Sequence, residues 1–398
     1  MWRGARSYLD HASATPLCPE ARAAMAKVAP QFGNPGAVHT EGLAAHRAHE
    51  NARAAIARAL GARPRQIIFT SGLTESINLA VLGYARKLEI GGAQLSKTHW
   101  ITTGIEHSAV LEPFADIERR GGKVTHLMPD ARGTISPEKL KAALRPETVF
   151  VSVGWANNET GVVQDIARMS QAIRKHKGKH RILFHTDAGQ TPLYLSPHVH
   201  SLGVDCMSIG SEKLYGPRGT GALYIEEPNS IAPILLGGGQ EGGLRSGTED
   251  PLASSGFAAA VEAMERLRVN EVKRVRTLRN DLAKELQAKV PGLIVNGELK
   301  RALPHMLNIS IPKVHAEYLM LALDREGFDV STKSACRSDD AVSHVIQALA
   351  AASKGEGSAP WRAKNTLRIS LGRTTTARDT KRLAETLLRL ASLPAVAS

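Results

Sequence analysis

Short apolar runs recur along this chain, and the stretches between them carry apolar residues at three- and four-residue spacing. The runs at 66–69, 100–103, 149–153, 182–184, 204–209 and 221–225 are too short for helices and read as buried strands. Helical spacing fills 74–87, 108–120 and 166–176 between them. The Ala-, Arg- and His-rich stretch 40–60 predicts a further helix, stopped by Gly61 and Pro64. Strand and helix in alternation predict an α/β domain with a mostly parallel sheet. From 252 to 290 the pattern is continuously helical, which predicts a link to a second, smaller α+β domain. That domain takes strands from 306–311, 328–331 and 366–371 and a last helix from 377–391. The expected division is a large domain over 17–259 and a small one formed by 1–16 with 260–398. Residues 351–365, polar and glycine-rich, read as an inserted surface loop.

Composition adds limits to this picture. A chain of 398 residues can bury a large core, and 42 % hydrophobic with 22 % charged residues is ordinary for a globular protein. The net charge of +13 favours anionic ligands or partners. Its densest part, 266–289, interleaves Glu271, Asp281 and Glu285 at helical spacing and reads as a solvated helix face. No zinc-finger or RNA-binding aromatic pattern accompanies it, so no direct nucleic-acid partner is expected. No run of 18 apolar residues predicts a membrane span, and the first residues lack the apolar segment of a secretory signal. Cys18, Cys206 and Cys336 lie far apart, which argues for a reducing cytoplasm rather than a disulfide framework or structural zinc.

Ligands of an open α/β sheet sit beyond the carboxyl ends of its strands, and here those ends are polar. Thr70-Ser71-Gly72-Leu73-Thr74 opens a helix whose free N–H groups suit a phosphate. Glu106-His107, Asn157-Asn158-Glu159 and the stretch from His185 through Asp187 to Gln190 follow the next strands. Lys213 stands alone in a Gly/Pro turn between two apolar runs. Lysine, an acidic partner for a ring nitrogen, an aromatic ring to stack and a phosphate cradle are what pyridoxal phosphate requires. Among the thiols, Cys18 beside Pro19 and Cys206 in an apolar strand read as structural. Cys336 lies in a polar segment with Lys333 and Arg337, where nearby cations favour the thiolate.

The motifs FGNPGAVH, FTSGLTESINLA, IEHSAVLEP, ANNETG, HTDAGQ, EKLYGPRGTGALY, GGGQEGGLRSGTE and STKSACRS span nearly the whole chain. With them the chain resembles the cysteine desulfurases, fold-type I pyridoxal-phosphate enzymes of the class V aminotransferase superfamily. The resemblance implies a homodimer that converts L-cysteine to L-alanine and carries the sulfur as a persulfide. An iron–sulfur scaffold or another sulfur acceptor, as in tRNA thiolation, would receive it. Lys213 resembles the Schiff-base lysine, Asp187 the partner of the pyridinium nitrogen, and His107 the stacking ring. Gln190 and Asn158 resemble ring contacts, and Leu73 with Thr74 the phosphate loop. Thr248 resembles a phosphate contact supplied by the other subunit. Arg373, assisted by Asn34, resembles the fork for the substrate carboxylate, and Cys336 the sulfur-carrying nucleophile. Cys336 is also the one expected transient ligand of an iron–sulfur cluster; no other metal site is expected.

The chain departs from this family before the lysine. There the usual pattern is Ser-x-His-Lys, but the chain has Gly210-Ser211-Glu212-Lys213, leaving Ser211 as the expected phosphate hydroxyl. The segment after Cys336 is about one residue shorter than usual. The competing readings are a selenocysteine lyase or other class V enzyme, and a non-catalytic relative that keeps the fold as a binding partner.

Overall fold

A computed structural model describes residues 6–332 and 342–392 of the chain. Seven strands form the main sheet: β1 (Ile67–Thr70), β2 (His99–Thr103), β3 (Lys123–Leu127), β4 (Thr148–Ser152), β5 (Leu183–Asp187), β6 (Cys206–Gly210) and β7 (Gly221–Ile225). Their order across the sheet is β1-β7-β6-β5-β4-β2-β3. Only β7 runs antiparallel to its neighbours, because a short turn rather than a crossover helix joins it to β6. Apart from β3, at the sheet's edge, the strands are buried almost throughout, as expected for a sheet covered on both faces. The carboxyl ends of β1, β2, β4, β5 and β6 therefore share one edge with the turn that carries Lys213.

Four helices matter to that edge. Helix α1 (Thr40–Leu60) ends at Gly61, whose φ of 66° is the left-handed conformation that closes a helix. Helix α2 (Leu73–Ile90) starts directly after β1, and α3 (Ser108–Arg119) starts after β2. Helix α4 (Pro251–Lys289) runs for 39 residues, capped by Asp250, which accepts the Ala253 N–H at 2.9 Å. Phe257, Ala260 and Val275 on α4 belong to the core under the main sheet. Leu282 and Leu286 belong to a second core, with Leu307, Ile309, Phe328, Ile369 and Leu387. That second core lies under a three-stranded antiparallel sheet of Thr366–Ser370, Met306–Ser310 and Ile294–Val295.

The amino-terminal stretch crosses between the two cores. Ser7–Tyr8 pairs with Phe328–Asp329, while Ala12 and Ser13 reach the edge that carries Lys213. The loop expected at 351–365 is only partly a loop. Trp361–Lys364 is a helical turn, and Arg362 is buried, donating to Asn296 Oδ1 at 2.6 Å and to the Gly357 carbonyl at 2.7 Å. A polar composition pointed outward, but internal acceptors satisfy the guanidinium. Among the described residues, no helix is long and apolar enough to cross a membrane.

Candidate active site

Lys213 closes the 3-10 turn Ser211–Lys213 that follows β6, and its Nζ donates to the carbonyls of Ala12 at 3.0 Å and Ser13 at 2.5 Å. Asp187 ends β5; its Oδ1 accepts the Gly189 N–H at 2.8 Å. Withdrawal from water pushes this carboxyl up to about 6, against the pull of Lys213. His107 caps α3, and its Nδ1 accepts the Ala109 N–H at 3.1 Å, which leaves Nε2 to carry the proton of the neutral ring. Gln190 Nε2 donates to the Ala12 carbonyl at 2.9 Å. Leu73 and Thr74 are the first residues of α2; Gly72 before them offers no capping side chain, so the first N–H groups of the helix keep their capacity for an anion. These residues, with Asn158, line one cavity of ≈ 170 Å³.

Arg373, expected as the carboxylate fork, is not among the residues lining this cavity. The Arg373 backbone N–H donates to the Tyr215 hydroxyl at 2.8 Å, its guanidinium lies 5.7 Å from the Tyr215 ring centre, and Nη1 is 3.5 Å from Glu20. It does not line the cavity, whereas Arg368 does. Arg368 sits inside the strand Thr366–Ser370, paired with Asn308, and Arg373 lies three residues beyond the strand's end. Arg368 is 2 % exposed and donates to the Asn158 carbonyl at 2.8 Å, Asp10 Oδ1 at 2.9 Å and Ser13 Oγ at 2.6 Å. Its Nε is buried and has no hydrogen-bond partner among the described residues.

Similarities to known proteins bear directly on this arrangement. The family model for class-V aminotransferases matches residues 7–383. Cysteine desulfurase IscS of Dictyoglomus turgidum is 40 % identical over 86 % of this chain and 85 % of its own length. The chain belongs to the cysteine desulfurases of the class-V aminotransferase family. Cysteine desulfurase IscS of Methylococcus capsulatus is 39 % identical over 94 % of this chain and 89 % of its own. A solved NifS-like protein superposes with a TM-score of 0.88 at 32 % identity, covering 97 % of this chain and 99 % of that one. SspA, solved in complex with cysteine, superposes with a TM-score of 0.76 at 32 % identity over 92 % of this chain and 98 % of its own.

Other expected residues stand apart from the cavity. Asn34 is exposed in the loop before α1, where its Oδ1 holds the Gly36 N–H at 2.9 Å, and it takes no part in the cavity. Thr248 is exposed and lines a different cavity, beside Ser71 and Arg245. Ser211 is fully buried, its hydroxyl has no hydrogen-bond partner among the described residues, and it packs against Gly216 rather than lining the cavity. Cys336 lies outside the described residues. Cys18 and Cys206 are buried, and burial raises both thiols.

Glu106 belongs to the cavity and had no assigned task in the sequence. Its Oε1 accepts from Thr103 Oγ1 at 2.7 Å and from the Gly154 N–H at 2.9 Å. Burial pushes the carboxyl up to about 7, with the nearby Asp187 adding to the rise. His185, by contrast, is structural: its two ring nitrogens lie 2.8 Å from Ser152 Oγ and 2.9 Å from Ser208 Oγ inside the sheet.

Proposed function

We propose that this protein is a pyridoxal-phosphate-dependent cysteine desulfurase that releases L-alanine from L-cysteine and keeps the sulfur as a persulfide on Cys336. The observation that carries this reading is that Lys213, Asp187 and His107 share a single cavity with the first turn of α2. The donor set fits the cofactor: an amine for its aldehyde, an acid for its ring nitrogen, an imidazole face for its ring, and helix N–H groups for its phosphate. When bound, the cofactor draws electrons from the substrate's α-carbon.

The protein's own groups divide the remaining work. Lys213 holds the cofactor and then moves the proton at the substrate α-carbon. Asp187 keeps a proton on the ring nitrogen, and Gln190 and Asn158 fix the ring edge. Arg368 takes the substrate carboxylate through its guanidinium, whose Nη1 has one acceptor, the Asn158 carbonyl, and a second N–H to offer. The Cys336 thiolate accepts the substrate sulfur as the Cβ–S bond breaks. The bonding pair stays with carbon, which takes up protons and leaves as alanine.

The exposed position of Thr248, outside its own subunit's cavity, supports a homodimer in which it reaches the neighbouring cofactor. The sulfur then passes to an acceptor for iron–sulfur cluster assembly, the route that fits relatives named IscS. Incubation with L-cysteine tests the reading: equal amounts of alanine and of persulfide on Cys336 are expected, with borohydride fixing the cofactor to Lys213. Fixation to another lysine, or no alanine, would overturn it.

A further inference from the structure

Glu212 is the one acidic side chain that this turn places beside the cofactor lysine. It lines the same cavity as Leu73, Thr74 and Lys213. Its carboxylate lies against the backbone of Gly210: a Cβ built there would stand 2.9 Å from both Oε1 and Oε2, closer than real side chains approach. Gly210 pairs across the sheet with Gly221, and a Cβ on Gly221 would stand 2.8 Å from the Gly72 backbone, at the start of α2. The carboxylate is therefore seated one strand pair from the helix end that would receive the phosphate. No hydrogen bond or ion pair engages it among the described residues; only its backbone carbonyl is used, accepting from Thr15 at 2.8 and 2.9 Å. Arg218, six residues on, is exposed and does not pair with it.

We propose that Glu212 is a resident anion at the phosphate end of the cofactor cavity, seated in the room that Gly210 leaves open, and that it weakens the site's preference for the phosphorylated cofactor. The inference rests on the cofactor reading above. Like charges a few ångströms apart repel strongly in a half-buried pocket, enough for about a tenfold effect on affinity after solvent screening. The unphosphorylated aldehyde has no such charge and is indifferent to Glu212. Gly210 and Glu212 act as a pair, since any side chain at 210 must push the carboxylate from its seat.

The test titrates the full-length protein, stripped of cofactor, with pyridoxal 5′-phosphate and separately with pyridoxal, following the absorbance of the bound form. Glu212→Gln should tighten the phosphorylated cofactor about tenfold and leave pyridoxal within about twofold. An equal shift for both, or none for either, overturns the proposal. Gly210→Ala should change the affinity for the phosphorylated form by about threefold or more beside Glu212 and by less than about twofold in a Glu212→Ala background. Equal effects in the two backgrounds overturn the pairing. Thermal midpoints of the variants confirm that each is folded. If borohydride fixes neither aldehyde to Lys213 in the wild type, the cofactor reading falls together with this one. If it fixes them in wild type and variant with the same affinities, only the Glu212 assignment falls.

Discussion

Arg368 donates to the Asp10 carboxylate at 2.9 Å, and this contact ties the amino-terminal stretch to the strand that carries the arginine. The same guanidinium reaches Ser13 Oγ in that stretch and the Asn158 carbonyl, so two separate parts of the chain fix its plane. A guanidinium held this firmly would lose little freedom on meeting a carboxylate, in keeping with the substrate-binding role proposed for it.

Arg368→Lys keeps the charge and loses the planar fork. Losing one charge-assisted hydrogen bond costs about 1.5–3 kcal/mol, so the KM for L-cysteine should rise by about tenfold to a hundredfold. Arg373→Ala, remote from the cavity, should change KM by less than about threefold, within the range of a surface substitution. Steady-state kinetics of alanine release decide between them. A large KM effect at 373 and none at 368 would restore the sequence-based assignment.

The two arginines illustrate what the sequence could and could not convey. The alternation of strands and helices was legible because buried parallel strands leave continuous apolar runs, as in Thr148–Ser152 and Cys206–Gly210. The polar strand ends at His107, Asn158, Asp187 and Lys213 were legible because their residue types match one cofactor. Choosing between Arg368 and Arg373 was not, since both lie in LRISLGRTTT and only the strand's end and pairing place one in the cavity. Ser211 misled for a related reason: the turn after β6 directs its hydroxyl toward Gly216. Arg362 misled because its acceptors, Asn296 and Gly357, come from folded neighbours that composition does not reveal.

The thiols should separate by reactivity. Burial holds Cys206 well above the ordinary thiol range and also raises Cys18, whose Sγ accepts the Ala21 N–H at 3.4 Å as a helix cap. Neither supplies thiolate at neutral pH. Brief alkylation of the native protein should label Cys336 first and leave Cys206 unlabelled, as read by peptide mass spectrometry. Cys336→Ala should keep the absorbance of the bound cofactor and form no persulfide. A persulfide on Cys18 or Cys206 in that variant would place the sulfur carrier elsewhere.

Glu106 should leave a mark on stability as a function of pH. Its carboxyl is pushed up from 4.5 to about 7, so the folded chain binds the proton more tightly than the unfolded chain does. The stabilisation is fully present below about pH 4.5 and is lost as pH rises through about 7, amounting to about 3 kcal/mol. Asp187, raised to about 6, acts in the same direction over a lower window. Buried His185, His99 and His305, which burial holds below the ordinary imidazole range, act in the opposite direction, so the test is the difference between two proteins. Glu106→Gln keeps an acceptor for Thr103 and Gly154 without the charge, and between pH 5 and pH 8 the urea midpoint of cofactor-free wild type should fall relative to that of the variant. Parallel pH profiles for the two proteins would mean that water already reaches the Glu106 carboxyl.

Thr248 gives the sharpest test of the homodimer, because its expected effect is on a cavity that its own subunit does not share with it. Removing its hydroxyl in Thr248→Val deletes one hydrogen bond to a charged phosphate, worth about tenfold in cofactor affinity. The decisive experiment mixes this variant with Lys213→Ala. Neither parent retains a complete site: one lacks the phosphate hydroxyl in both subunits, the other lacks the lysine in both. A hybrid dimer restores one complete site, formed by Lys213 of one subunit and Thr248 of its neighbour. After dissociation and reassembly at equal concentrations, about half of the dimers should be hybrid if the subunits mix at random. Because each hybrid holds one complete site out of two, about a quarter of all sites should bind the cofactor at wild-type affinity, read by absorbance titration. A mixture that titrates as the plain sum of its parents would show that Thr248 serves its own subunit or none, and sedimentation of a fully loaded monomer would remove the homodimer altogether.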